Sequence, residues 1–212
     1  MEKTIFAFGD SITYGAWDIE NSGWINLLRR QLDKRAETDP NFYTLTYNLG
    51  IPGETTNGLV KRIEPEIKSR LRNDQENIFI FAYGANDAAF IPSENKFRVS
   101  LEQFGNNIEA AIKTARNFSS KIMILDITPV VDEKTIHPEH KDRSRLNEYI
   151  KLYNEKLKIV TDKFSVSLVN VFDEFMKNNH AEILDEDDGL HPNAKGHKMI
   201  FGLVKNQLDK FL

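Results

Sequence analysis

Ser11, Asp188 and His191 are the side chains of this sequence best suited to nucleophilic chemistry. A serine hydroxyl attacks a carbonyl poorly unless a base takes its proton during the attack, and His191 is the best base in the chain. It stands in Asp188-Gly189-Leu190-His191-Pro192, a spacing that lets one short turn supply both a carboxylate and an imidazole. A carboxylate so placed fixes the ring's tautomer and stabilises the imidazolium formed as the proton moves. Ser11 lies in Gly9-Asp10-Ser11-Ile12-Thr13, two residues past a strand-ending glycine. A turn there presents its hydroxyl to a crevice. Attack on an ester carbonyl creates an oxyanion that needs donors already in place. The N–H of Ser11, the N–H of Gly53 and the side-chain amide of Asn86 are the candidates, and the missing side chain of Gly53 permits close approach.

Taken singly, each of these features has an ordinary explanation. Gly-Asp-Ser is rich in turn formers, Asn86-Asp87 suits an Asx turn, Gly53 can open a helix, and His191-Pro192 can lead into one. The acidic run Asp185-Glu186-Asp187-Asp188-Gly189 invites a calcium-loop reading, but aligning Gly189 with position six puts Leu184 and Lys195 where that loop needs carboxylates. Asp187 is a competing neighbour for the histidine, and the Asp-x-x-His spacing favours Asp188. His137 and His140 form His-Pro-Glu-His without a third ligand or a helical His-Glu-x-x-His pattern, so a solvated loop is expected rather than a metal site. His180 and His197 are expected at the surface or in helix packing, and Asp10 as a turn residue. Trp17 could line an acyl pocket, whereas Trp24 is expected against the sheet.

The elements that must position these groups are legible from periodicity. Thr4 to Phe8, Tyr43 to Leu49, Ile78 to Tyr83, Lys121 to Ile127 and Ser167 to Val171 read as strands. Helical patterns cover Trp24 to Ala36, Thr55 or Thr56 toward Arg72, Ser100 to Asn117, Arg145 to Lys163 and Ala194 to Phe211. Strands alternating with helices, with inner strands apolar on both faces, require a parallel sheet covered on both sides. Sites in such sheets form where strands end, and the motifs all fall at element boundaries. Thr128 to Ser144 is expected to be an irregular surface loop near that edge, available as a substrate wall. That wall, together with Trp17 and Ala88 to Asn95, would set acyl length.

Composition narrows the function classes. The 212 residues, 40% hydrophobic and 28% charged, suit one domain spanning 1–212 with a mixed core. A net charge of -4 supplies no basic field for nucleic acid, so a small-molecule partner is expected. The absence of cysteine removes disulfides, thiolate metal sites and a cysteine nucleophile. Glu2-Lys3-Thr4 leads straight into a strand, and no apolar stretch approaches membrane-spanning length. A cytoplasmic location without integral membrane association is therefore expected.

Gly-Asp-Ser-Ile-Thr, the glycine of Asn-Leu-Gly-Ile-Pro-Gly-Glu-Thr, Gly-Ala-Asn-Asp and Asp-Gly-Leu-His-Pro resemble the ordered blocks of the SGNH hydrolases, also called GDSL lipases or esterases. The resemblance runs from Gly9 to Pro192. It implies a flavodoxin-like, three-layer α/β/α sandwich with five parallel strands, and no metal or organic cofactor. It also implies Ser11 as nucleophile, Asp188 and His191 as the rest of a catalytic triad, and an oxyanion hole of Ser11, Gly53 and Asn86. Ile12 replaces the family's leucine with a side chain of similar size. The implied activity is hydrolysis of a small or medium carboxylic ester through an acyl-enzyme. Thioesters, lysophospholipids and acetylated sugars are alternatives for the same machinery, and a non-catalytic ligand-binding domain is the rival from another class.

Overall fold

The computed structural model of the protein describes residues 2–72, 74–136 and 142–212. Strand β1 (Glu2–Gly9) buries Ile5, Phe6, Ala7 and Phe8 completely, which only an inner strand with cover on both faces can do. β2 (Thr44–Gly50) and β3 (Gln75–Ala82) flank it in parallel. β4 (Phe90–Ile91) and β5 (Lys96–Phe97) form a separate antiparallel hairpin. β6 (Ile122–Leu125) and β7 (Ser167–Val169) extend the main sheet, whose order is β2-β1-β3-β6-β7, parallel throughout.

The helices are α1 (Ser11–Tyr14), α2 (Trp24–Thr38), α3 (Thr56–Lys68), α4 (Leu101–Arg116), α5 (Asp132–Thr135), α6 (Asn147–Phe164), α7 (Phe172–Lys177) and α8 (Ala194–Leu208). α2 packs with α8, whereas α3 packs with α4 and α4 with α6, giving one helical layer on each face of the sheet. α2 turns Trp24, Ile25, Leu28 and Leu32 inward, an apolar stripe at helical spacing. Local caps set the ends: Ser100 Oγ accepts from Gln103 N at the start of α4, and Asn193 Oδ1 accepts from Lys195 N and Gly196 N at the start of α8. The expected five-stranded, flavodoxin-like α/β/α architecture is the one observed.

Register makes the site possible. Gly9 pairs with Gly50 on one side and with Ala82 on the other, so β1, β2 and β3 finish level. A Cβ on Gly9 would collide with the Thr13 side chain and the Ala82 carbonyl, so the turn into α1 requires glycine. The stretch expected to be irregular, Thr128 to Ser144, contains the single turn α5. α7, one and a half turns long, follows β7. His137 and His140 lie outside the described residues. Among the described residues, no helix is long and apolar enough to cross a membrane.

Candidate active site

Ser11, Gly53 and Asn86 lie just beyond the level ends of β1, β2 and β3, and each loop is pinned separately. Asp10 caps α1: its Oδ1 accepts from Ile12 N at 3.0 Å and its Oδ2 accepts from Asn86 Nδ2 at 3.2 Å. The Gly53 loop is held by its neighbour Glu54, which receives Arg62 Nε at 2.9 Å and the Tyr83 hydroxyl at 2.6 Å. Arg62 Nη2 also donates to Leu49 O at the end of β2. Asp87 ties this loop to the next one, accepting Thr56 N at 3.0 Å and the Thr56 hydroxyl at 2.5 Å. Burial pushes both Asp10 and Asp87 up to about 6, against the hydrogen bonds they accept. Asp10 is thus a turn residue, as expected, and it is also buried.

The turn before α8 brings the remaining groups. Asp185 Oδ1 accepts from the N–H of Asp187 and Asp188, and Asp185 N bonds to His191 O at 2.7 Å. Asp188 Oδ1 accepts from Leu190 N at 2.8 Å and His191 N at 3.0 Å, and its Oδ2 lies 2.5 Å from His191 Nδ1. Asp187 is exposed, so Asp188 is the carboxylate at the imidazole. Burial opposes its ionisation, but the hydrogen bonds from the His191 ring and from the His191 and Leu190 backbone outweigh it and hold Asp188 down to about 2.

An ionised carboxylate can only accept, so His191 Nδ1 carries a proton and Nε2 presents its lone pair. Nε2 is 2.8 Å from Ser11 Oγ, and the serine hydroxyl donates to it. This imidazole can take the serine proton and carry the resulting charge against Asp188.

Trp17, expected only as a pocket wall, and two arginines that no motif singled out complete the surroundings. Trp17 Nε1 lies 3.1 Å from Asp188 Oδ2 and 3.0 Å from His191 Nδ1; the protonated Nδ1 cannot accept, so the indole donates to the carboxylate. Trp17 has a left-handed backbone, φ 67°, within a loop held by Asp18, whose oxygens accept from Asn21 N and Gly23 N. Arg98 donates to Asn86 Oδ1 at 3.2 Å and to Gly53 O at 3.2 Å. Arg145 donates to Ala85 O at 3.1 Å and to Asn86 Oδ1 at 3.3 Å. Burial, with Arg143 and Arg98 nearby, pushes Arg145 down to about 10, still protonated at neutral pH. Nothing in their sequence surroundings marks these arginines, and the ordinary place for arginine is the surface.

Ser11, Gly53, Asn86 and His191 share one cleft of about 840 Å³. Its apolar rim is Tyr14, Trp17 and Ile19, with Asn26 and Asn48 as polar points. Ala88 to Asn95 and the described part of Thr128 to Ser144 do not line it, contrary to the expected substrate walls. The end of α1 and the segment between α1 and α2 take that place, and Asn48 Nδ2, near the end of β2, donates to Tyr14 O. Trp24 is fully buried in the core, and His197 is a buried packing residue of α8. Among the described residues, no cluster of three or more His, Asp or Glu side chains is arranged to hold a metal.

A flavodoxin-like sheet with a serine, a histidine and an aspartate assembled at its carboxyl edge is the frame of an SGNH-type hydrolase. Residues 7–199 match the model of the GDSL-like Lipase/Acylhydrolase family. The chain belongs to that family and is a carboxylic ester hydrolase. It is 24% identical to a GDSL esterase/lipase of Arabidopsis thaliana, over 98% of this chain and 86% of the relative. It is also 24% identical to the lipoprotein YqeF of Bacillus subtilis, over 97% of this chain and 90% of the relative. The crystal structure of a lipase/acylhydrolase from Enterococcus faecalis shares the fold, with a TM-score of 0.75, 20% identity and coverage of 99% of this chain and 97% of that one.

Proposed function

We propose that the protein hydrolyses a small or medium carboxylic ester through an acyl-enzyme on Ser11. The observation that carries this reading is the chain of contacts from Ser11 Oγ to His191 Nε2 at 2.8 Å and from His191 Nδ1 to Asp188 Oδ2 at 2.5 Å. Ser11 Oγ bonds to the ester carbonyl carbon while His191 takes the hydroxyl proton. The tetrahedral intermediate collapses, the C–O bond to the alcohol breaks, and His191 returns the proton to the leaving oxygen. Water, deprotonated by His191, then attacks the acyl-enzyme and restores Ser11. The oxyanion of each step is received by the N–H of Ser11, the N–H of Gly53 and Nδ2 of Asn86.

The cleft supports the substrate class. An open, largely apolar rim of Tyr14, Trp17 and Ile19 beside Ser11 suits an uncharged acyl or alcohol group of modest length. The test joins two measurements: organophosphonate labelling located by mass spectrometry, and turnover of an ester panel graded by acyl length. Label on Ser11, loss of both label and turnover in folded Ser11→Ala, and a preference for short or medium chains are expected. Undiminished turnover in Ser11→Ala would remove the assigned nucleophile.

A further inference from the structure

The Asn86 carboxamide is gripped from both ends. Its Oδ1 accepts from Arg98 Nη1 at 3.2 Å and from Arg145 Nη2 at 3.3 Å, and its Nδ2 donates to Asp10 Oδ2 at 3.2 Å. A flipped amide would set its own N–H groups against two guanidinium donors, so one orientation is enforced. An amide nitrogen has two protons. With one committed to Asp10, the other remains for the cleft that Asn86 lines.

Arg145 is unusual for a buried charge, and Arg98 is half-buried. Arg145 is 8% exposed and Asn86 6%. Burying a charge is costly unless it is paired, yet the acceptors of both arginines are neutral: the Gly53 and Ala85 carbonyls and Asn86 Oδ1. Among the described residues, neither arginine forms an ion pair. The carboxylates that attract them act only through space, Asp87 on Arg98 and Asp10 and Asp188 on Arg145, so negative charge developing beside them in the tetrahedral intermediate adds a stabilisation that the resting site lacks. A cation at an amide oxygen also draws electron density from the amide nitrogen and strengthens its N–H as a donor.

We propose that Arg98 and Arg145 are positioning residues that fix and polarise the Asn86 amide for the oxyanion. This rests on the oxyanion hole proposed above. Although Arg145 also lines the cleft, both arginines act through Asn86 in this proposal, so their effect belongs to the chemical step and disappears once the amide is gone.

The experiment is a double-mutant cycle on neutral 4-nitrophenyl acetate, with kcat and KM measured for Arg98→Met, Arg145→Met, Asn86→Ala and each arginine change combined with Asn86→Ala. Each arginine variant is expected to lose about tenfold in kcat with KM changed less than about twofold, and Asn86→Ala about 10²-fold. The double variants should be no slower than Asn86→Ala alone. Multiplying losses, or a loss confined to KM, would overturn the proposal. If Arg145→Met does not fold, the less buried Arg98 carries the same cycle. Organophosphonate labelling separates the two readings. The arginine variants should still be labelled on Ser11, only more slowly, whereas a wild-type protein that is never labelled there would count against the nucleophile itself.

Discussion

The indole Nε1 of Trp17 stands 3.1 Å from Oδ2 of Asp188, the same oxygen that meets His191 Nδ1 at 2.5 Å. Asp188 therefore takes four donors, two on each oxygen. The indole ring also lies edge-on to the imidazole, with centroids 5.8 Å apart. Trp17 sustains this from a left-handed backbone, which costs a residue with a side chain about 1–2 kcal/mol.

Trp17→Phe keeps an aromatic ring in the cleft but removes the N–H. We expect kcat to fall about 3- to 10-fold, the scale of one ordinary hydrogen bond of about 0.5–1.5 kcal/mol at this exposed position, and Trp17→Ala to fall further. Steady-state kinetics on one short ester decide it: a phenylalanine variant as fast as the wild type would show that the N–H is not needed.

Gly53 has φ 75°, and a Cβ added there would meet no protein atom within 4 Å. The room is that of the cleft. Gly53→Ala should therefore combine backbone strain of about 1–2 kcal/mol with a methyl group beside the proposed oxyanion hole. The expected result is a kcat at least about tenfold lower with a modest fall in melting temperature. A change in melting temperature alone would place Gly53 outside the chemistry.

His197 links α8 to the segment that carries Trp17. Its Nδ1 accepts from Trp24 N at 3.3 Å, and its Nε2 donates to Ala16 O at 3.4 Å, a pattern that only the neutral ring provides. Burial pushes its pKa from 6.5 down to about 4, although Asp18 and the Ala16 carbonyl work the other way. A lowered pKa contributes stability that is present above about 6.5 and lost as pH falls through about 4, on the order of 3 kcal/mol. Urea unfolding at pH 7 and pH 4.5 should show a smaller drop for His197→Phe than for the wild type; equal drops would contradict this assignment.

Asp126 has the opposite sign. Burial raises it from 3.8 to about 7 despite the hydrogen bonds from Phe172 N at 2.9 Å and Val171 N at 2.6 Å. A raised pKa contributes stability that is present below about 4 and lost as pH rises through about 7. Asp126→Asn retains a neutral oxygen for the same two donors and should melt higher than the wild type at pH 8, with the gap closing toward pH 4. Thermal unfolding across that range decides it, and a gap independent of pH would refute the charge argument.

The sheet and the longer helices were legible because periodicity is a local property. Ile5 to Phe8 and Ile78 to Phe81 read as buried strands, and both are fully buried. α5, α7 and the β4–β5 hairpin were not legible, because elements of two to six residues are too short to display a period. The same division holds at the site. Asp188 and His191 sit three residues apart, so their spacing announces their contact. Trp17 reaches Asp188 across 171 positions and Arg145 reaches Asn86 across 59, and no local pattern encodes such pairings. For a related reason, irregularity of sequence marks Thr128 to Ser144 as a loop but not whether its described part faces the cleft.

The order of the elements along the chain determines how the site is completed during translation. Ser11, Gly53 and Asn86 follow β1, β2 and β3, whereas Asp188 and His191 come only after β7, the last strand of the sheet. A nascent chain thus acquires its hydroxyl and its candidate oxyanion donors while the imidazole is still unmade. Under the mechanism proposed here, hydrolytic competence arrives in one late event, when the turn before α8 docks against a sheet already built.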